Sequence, residues 1–256
     1  QSGRRQRQMC IRDRAGGAIP SSFRIARILL DRIEDSRTGK ILIPSFHTEI
    51  NDSQIKTAGA IAEVVGESLW ESLPVVETLV PHNTDTAQML LDVNWRPALS
   101  VIGAGGLPPV ESAGNVLRTH TDLALSLRIP PGVDSQKAVI ELTEALEKDP
   151  PFGAEVKFEA YPPADGFRAP PLPPNVAEEL EKASSSLTGK PPHTTWVGGT
   201  IPFMAMMQSK YPDSAFLCTG AAGPGNNAHG PDEKLHIPTA KRLTAAIAAV
   251  SWSVGN

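Results

Sequence analysis

Apolar residues recur at helical spacing near the start of the chain. Between residues 21 and 36 they form one face, with Ser21 or Ser22 as the cap and Gly39 as the stop, which predicts an amphipathic helix. A short apolar stretch follows at residues 40–46. Less regular patterns predict two more helices, over residues 53–70 and 85–91.

A period of two then predicts strands. Residues 95–102 indicate one strand, and in residues 122–129 apolar side chains alternate with polar or small ones, so that Arg128 faces away from the leucines. Asp134 or Ser135 can cap a helix with an apolar stripe, and residues 156–160 alternate again. A helix followed by strand, strand, helix and strand predicts an α+β sandwich with one sheet face covered.

A change in composition predicts a domain boundary. Six prolines fall within residues 161–174 and break any regular ladder, so we divide the chain into residues 15–162 and 163–256. The second part reads as a helix (175–186), a segment opening a helix (198–202), an apolar strand (214–219), a glycine-rich loop (220–230) and a closing helix from Pro238. This alternation favours part of an α/β layer whose sheet has further strands.

Charge and cysteine content exclude several classes of protein. The net charge of -4 and pI near 5.9 provide no basic field for nucleic acid. No apolar run approaches the ~20 residues that cross a bilayer. Two cysteines without CxxC spacing favour a reducing, cytoplasmic compartment. Residues 1–14 hold five arginines, one acid and no amphipathic period, and we interpret them as a foreign or disordered tail rather than a targeting arm.

The most informative chemistry lies in residues 220–236, which follow the apolar strand. Ligands bind in loops at the carboxyl ends of α/β strands, and glycines allow sharp turns there. His229 in this loop is a candidate zinc ligand. The alternative is a surface histidine that bonds to backbone.

The run AHGPDEKLHIP, residues 228–238, resembles the last metal-ligand motif of the carnosinase and carboxypeptidase G type zinc peptidases. Succinyl-diaminopimelate desuccinylase and acetylornithine deacetylase belong to the same family. The histidine of this motif binds one of two zinc ions in the family, so the resemblance implies that His229 is a metal ligand.

Three further segments resemble the family in order and spacing. GGTIP, residues 198–202, is similar to its GGSIP turn, which implies that Gly199 and Thr200 offer backbone N–H groups to an anion; the alternative is a plain helix cap. Asn115 and Arg128 resemble the lid residues that hold the substrate carboxylate and backbone, although Arg128 is also compatible with a solvated strand position. Residues 15–20 resemble the turn that opens the lid.

The resemblance implies a ferredoxin-like lid and dimerisation domain with a four-stranded antiparallel sheet, followed by the C-terminal part of an α/β di-zinc catalytic domain. In the family, the other metal ligands and a glutamate general base precede the lid, so their counterparts are expected upstream and this chain is expected to be inactive. His120 with Asp122, and Glu178 with Glu179, mimic ligand pairs, but we interpret them as turn or strand residues and a solvated helix face.

The intact protein is therefore expected to cleave an amide bond in a small peptide or N-acyl amino acid, with zinc activating water, as a homodimer through the lid. Two residues depart from the family. Ile102 stands where several members have an oxyanion-binding histidine. Trp196 stands where carnosinase-like members have an arginine, which favours a substrate without the matching carboxylate or one that is bound in another way.

Two other functions are compatible with the sequence. One is a non-enzymatic dimerisation or interaction module, because most metal ligands are absent. The other is an anion binder that uses the loop of residues 220–230, but the chain has no GxxxxGK[ST] motif.

Overall fold

The computed structural model describes residues 17–67, 69, 75, 76, 78–114, 117–196, 202–223, 225–228 and 230–255. The chain divides into two compact units: the first unit runs to Phe167 and includes residues 196–205, and the second unit comprises residues 168–195 and 206–256. No helix in the described ranges is long and apolar enough to cross a membrane. The elements are α1 (Ser22–Leu30), α2 (Asp52–Val65), α3 (Thr86–Trp95), β1 (Ala98–Gly105), β2 (Asp122–Arg128), α4 (Ser135–Glu147), α5 (Pro174–Thr188), α6 (Pro202–Lys210) and α7 (Ile237–Gly255).

Helix α1 is shorter than its pattern predicts. Ser21 caps it as expected, but the helix ends at Leu30, and the predicted extension to residue 36 is wrong. The chain reverses in a turn closed by an isolated β-bridge, and Gly39 there has a φ of 68°, which glycine adopts readily. This reversal leaves Ile33 and Ile41 only 0% and 1% exposed. Their burial overrides the local helical pattern.

Strands β1 and β2 form an antiparallel sheet in which Ala98 lies opposite Arg128. The predicted alternation in β2 is confirmed, because its leucines are partly buried and Arg128 is exposed. Strand β1 begins three residues later than predicted. The reason is that Trp95 completes α3 and Arg96 is the C-cap of that helix.

The predicted third strand is not formed. Residues 156–160 carry no strand pairing, and the Phe158 N–H donates to Glu147 Oε1 at 2.6 Å. Val156 and Phe158 still pack partly buried against neighbouring apolar residues, which explains their alternation. The described residues therefore contain a two-stranded sheet and one isolated bridge, rather than the four-stranded sheet that the resemblance implies.

Helix α4 is held at its N-terminus by two carboxylates. Asp134 is the cap, as one of the two predicted alternatives, and accepts from the N–H groups of Gln136 and Lys137 at 3.0 Å. Asp165 accepts from the Ser135 N–H at 2.9 Å. The beginning of the proline-rich stretch is therefore bonded to the first unit.

Two hydrophobic cores stabilise the first unit. The first core joins α1, α4 and the sheet, and its buried residues are Leu29, Ile33, Ile41, Phe46, Ile129, Val133, Ala138 and Leu146. The second core lies between α2 and α3 and buries Ala58, Ile61, Leu90, Leu91 and Trp95, with Trp196 packed against it. A capping box between Asn51 and Gln54 fixes the residue at which helix α2 begins.

The second unit has a small core between α5 and α7. Its buried residues are Val176, Ala183 and Val250. The strand predicted at residues 214–219 is not formed, and all of these residues except Phe216 are exposed. A strand needs a neighbour for its backbone groups, and the described residues of this unit supply none. Instead of the predicted α/β layer, they form helices joined by loops.

Candidate substrate and metal site

The structure describes one of the five residues predicted to bind substrate or metal, namely Arg128. Asn115, Gly199, Thr200 and His229 lie outside the described residues. The site is therefore built from Arg128 and from the segments that flank the other positions in sequence.

Arg128 is the last residue of β2 and contacts the end of helix α3. Its Nη1 donates to the Val93 carbonyl oxygen at 3.1 Å. Val93 lies in the last turn of α3, where carbonyl groups have no partner within the helix and the helix dipole is negative. The helix end thus holds the guanidinium at the edge of the sheet.

The guanidinium of Arg128 can still take an anionic ligand. The ion pairs found among the described residues all involve other cations. A planar guanidinium binds a carboxylate through two parallel hydrogen bonds. Its exposure is compatible with binding an anionic ligand and equally with a solvated strand position.

Trp196 packs against the second core of the first unit. Its ring meets Trp95 edge to face, with the ring centroids 5.6 Å apart and the planes at 84°. Trp95 is 4% exposed. This contact anchors the chain just before the predicted glycine motif.

The loop of residues 226–234 is closed by hydrogen bonds at its base and within it. The Lys234 N–H donates to the Asn226 carbonyl oxygen at 2.8 Å. Inside the loop, the Asn227 carboxamide donates to the Pro231 carbonyl. The glycine-rich stretch that contains the predicted metal ligand is therefore held by specific polar contacts, which the sequence analysis missed. The available signal was the asparagine pair among glycines, a residue type that favours turns.

His236 caps helix α7. Its Nδ1 lies 2.7 Å from Thr239 Oγ1 and accepts from the Thr239 N–H at 3.3 Å, so a neutral ring carries its proton on Nε2. Gly223 lies against the His236 side chain, because a Cβ there would collide with the His236 Cβ. The contact joins the start of the glycine-rich loop to the helix that follows. Sequence reasoning missed it, although a polar residue before a helix is a cap signal.

The histidine and aspartate that mimic a ligand pair lie at the surface. His120 Nε2 is 3.6 Å from Asp122 Oδ2, and their side chains are 64% and 73% exposed. No group of three or more His, Cys, Asp or Glu side chains that could hold a metal ion occurs in the ranges that the structure describes.

The paired glutamates lie on a helix face and bind a lysine. Lys182 Nζ is 2.8 Å from Glu178 and 2.9 Å from Glu179. The hydrogen bond from Lys182, with a second from Ser253, lowers the pKa of Glu179, and its bonds to Glu178 and Glu179 raise the pKa of Lys182. These carboxylates are ion-paired on the helix surface.

A curated relative matches part of this chain. Cysteinylglycine-S-conjugate dipeptidase from Corynebacterium striatum is 31% identical over 147 residues, which cover 56% of this chain and 32% of the relative. No family model matches the chain.

Solved structures show the same fold over 93% of this chain. They are the dipeptidase Dug1p from Saccharomyces cerevisiae (TM-score 0.72, 19% identity), human carnosine dipeptidase 1 (0.69, 20%) and an M20 family metallo-carboxypeptidase from Sulfolobus solfataricus (0.66, 15%). The chain spans 50%, 50% and 54% of their respective lengths. The motif resemblance is thereby confirmed as a likeness to M20 peptidases, whose fold the chain shares over about half of their length.

Proposed function

We propose that this chain is part of a metal-dependent hydrolase that cleaves an amide bond in a small peptide or N-acyl amino acid. The observation that carries the proposal is the fold shared with two dipeptidases over 93% of the chain. In this proposal residues 15–162 are the lid and dimerisation domain, and residues 163–256 are the C-terminal part of the catalytic domain. The protein acts in the cytoplasm as a homodimer through its lid.

Within this proposal, the lid unit binds substrate and the glycine-rich loop contributes to the metal site. Arg128 pairs with the carboxylate of the substrate, and Asn115 contacts its backbone. Gly199 and Thr200 donate backbone N–H groups, and His229 binds zinc. The contact of Arg128 with Val93 supports its role, because it holds the guanidinium in place before substrate arrives.

The described residues do not fit a complete zinc site. A catalytic zinc takes three protein ligands, and no group of three suitable side chains is found in the described part of the chain. We therefore place the remaining ligands and the general base in parts of the protein beyond this chain. Alone, the chain is expected to have no peptidase activity.

Trp196 sets the expected specificity. Its ring contacts the buried Trp95 at 5.6 Å between centroids, so it presents an aromatic group where carnosinase-like members have a cation. A second carboxylate on the substrate would have no partner at this position. We propose a substrate with one carboxylate, bound by Arg128.

The proposal is tested by zinc stoichiometry and by activity. We expect the purified 256-residue chain and its His229→Ala variant to retain no tightly bound zinc and to leave the dipeptide cysteinylglycine intact. The coding sequence upstream should encode His-x-Asp and Glu-Glu motifs in the same frame. A protein extended to include them should bind zinc, hydrolyse a dipeptide and lose zinc on the His229→Ala change. An open reading frame without those motifs would refute the proposal.

The second candidate is a non-enzymatic dimerisation module. It is favoured by the exposure of Val101 and Ile102 on β1, which are 50% and 69% exposed. Apolar residues on an exposed strand can pair with a second copy. A monomer in light scattering at micromolar concentration would exclude this module, while a dimer without activity in the extended protein would favour it.

A further inference from the structure

Helix α3 ends two residues before a proline, and this proline decides which donor its last carbonyl groups can bind. We infer that Pro97 is a positioning residue: it leaves the Val93 carbonyl open to Arg128, so that the guanidinium is ordered before a carboxylate ligand arrives. This inference rests on the proposed function, since it takes Arg128 as the group that binds the substrate carboxylate. It adds a role for a residue that the sequence analysis did not single out.

Pro97 fixes the residue at which α3 ends. A proline disfavours helical dihedral angles in the residue before it. Arg96 accordingly has extended angles, with a φ of -116° and a ψ of 146°, and its N–H donates to the Asp92 carbonyl oxygen. Pro97 is buried, and the next residue, Ala98, begins strand β1. One residue therefore sets the change from helix to strand.

The next carbonyl along the helix belongs to Val93. In a continued helix its N–H partner would come from residue 97, four positions later. Proline has no N–H, so the helix cannot close this bond. Arg128 Nη1 donates to the Val93 carbonyl oxygen instead, at 3.1 Å, from the end of strand β2. The proline marks the carbonyl that lacks a helical partner, but not the distant donor that reaches it.

The strand register brings Arg128 to the end of α3. Ala98 directly follows Pro97 and lies opposite Arg128 in the antiparallel pair. Backbone pairing thus places Arg128 beside the helix end, and the bond to Val93 holds its side chain there. This bond uses Nη1 and leaves the Nε–Nη2 edge of the guanidinium with two parallel N–H groups. A carboxylate binds such an edge through both of its oxygens.

Holding the guanidinium raises its affinity for a carboxylate, because less side-chain freedom is lost when the ligand binds. The cost of ordering one flexible side chain corresponds to roughly 2- to 10-fold in a dissociation constant. In Pro97→Ala the new residue supplies an N–H that competes with Arg128 for the Val93 carbonyl, and Arg96 is released from its extended angles. We expect the guanidinium to become mobile while its charge is unchanged.

Pro174→Ala is the matched control. Pro174 is the first residue of α5, where an N–H would have no partner within the helix. Its substitution therefore adds no bond that competes for a carbonyl group.

The first measurement is ¹⁵N NMR of the arginine guanidinium groups in the full 256-residue chain. Rotation about the Nε–Cζ bond averages the two Nη signals, and a hydrogen bond from one Nη slows this rotation. We expect separate Nη signals for Arg128 in the wild type and in Pro174→Ala, and averaged signals in Pro97→Ala. Arg32 donates to three carbonyl groups and should keep separate signals in all three proteins.

Two results of this measurement would overturn the inference. Averaged Arg128 signals in the wild type would show that the guanidinium is not held, and this result needs no variant. Separate Arg128 signals in a folded Pro97→Ala variant would show that the proline does not control the bond to Val93.

The second measurement separates positioning from the proposed function. N-acetylglycine, which has one carboxylate, and its uncharged amide are titrated into the wild type, Pro97→Ala and Arg128→Leu, with binding followed at the backbone amides of β2. We expect the wild type to prefer the carboxylate. Pro97→Ala should weaken its binding by roughly 2- to 10-fold, and Arg128→Leu should abolish the preference.

The two ways of failing are distinct in this titration. Full carboxylate affinity in Pro97→Ala would overturn the positioning role, while Arg128 would remain a carboxylate ligand as the proposed function requires. No preference for the carboxylate in the wild type would overturn the role of Arg128 in the proposed function and, with it, the inference about Pro97.

Discussion

The two compact units differ in how they bury their apolar residues. In the first unit Phe46 and Ile33 are fully buried, and two separate cores join helices and sheet. The core of the second unit has three buried residues, while Leu235 and Trp252 are 62% and 75% exposed. Large exposed apolar surfaces are typical of interaction sites. Exposed apolar side chains also occur in the first unit, Val101 and Ile102 among them, so the two units differ in the size of their cores rather than in apolar exposure.

The largest effect is expected from opening the core of the first unit. Phe46→Ala should lower the free energy of unfolding by about 3–5 kcal/mol, because the ring is fully buried and leaves a cavity. Val250→Ala in the second unit should cost about 1–2 kcal/mol. Urea unfolding followed by circular dichroism measures both, with the exposed Tyr161→Ala as the control. Equal losses for Phe46→Ala and Val250→Ala would show that the units are equally well packed.

A smaller effect on the free energy of unfolding is expected at the contact between Trp95 and Trp196. In a double-mutant cycle, Trp95→Leu and Trp196→Leu should show a coupling of about 0.5–1.5 kcal/mol. Either substitution alone already removes their edge-to-face contact, so the double variant does not lose it a second time. Trp95→Leu and Trp252→Leu form the matched pair, and their costs should add. A coupling near zero for Trp95 and Trp196 would show that Trp196 does not stabilise the second core.

The smallest effect is a pH dependence that distinguishes α4 from α5. Hydrogen bonds from the Lys137 and Gln136 N–H groups lower the pKa of Asp134 from its ordinary value of 3.8, whereas α5 follows Pro173 and has no side-chain cap. A lowered pKa in the folded state means that Asp134 stabilises α4 above its ordinary pKa and loses this contribution as pH falls through the lowered value.

The Asp134→Asn variant isolates this contribution, because asparagine also caps helices but does not titrate in this range. The wild type should therefore lose stability relative to the variant as the pH falls, which thermal unfolding at a series of pH values measures. A difference that stays constant across the acid range would contradict the lowered pKa of Asp134.

Local patterns predicted the elements whose signals lie within a few residues. The alternation in β2 placed Arg128 on the exposed face, and the residues before α4 included its cap, Asp134. Alternation in residues 156–160 and the apolar run of residues 214–219 predicted strands that are not formed. A period of two reports alternating burial or local apolar character, but it carries no information on which strand supplies the hydrogen-bonding partner.

The candidate site shows the same limit. Motif spacing selected Arg128, but its contact with Val93 joins residues 35 positions apart and leaves no local signal. The loop around position 229 was selected for its histidine, whereas the hydrogen bond described within the loop runs from the Asn227 side chain to the Pro231 carbonyl, with Asn227 in the left-handed region. Asparagine indicates a turn, but which carbonyl its side chain reaches depends on how the loop closes in three dimensions.

The bond between Asp165 and the start of α4 decides where the protein can be cut. Ser135 is 4% exposed, and its N–H donates to Asp165. A polypeptide ending at residue 162 would lose this acceptor and leave a buried donor unsatisfied, at a cost of about 1–3 kcal/mol. It would also remove Gly166, which packs so closely on Pro131 that a Cβ would stand 2.8 Å from its backbone. Recombinant dissection of the first unit should therefore keep the chain through Phe167.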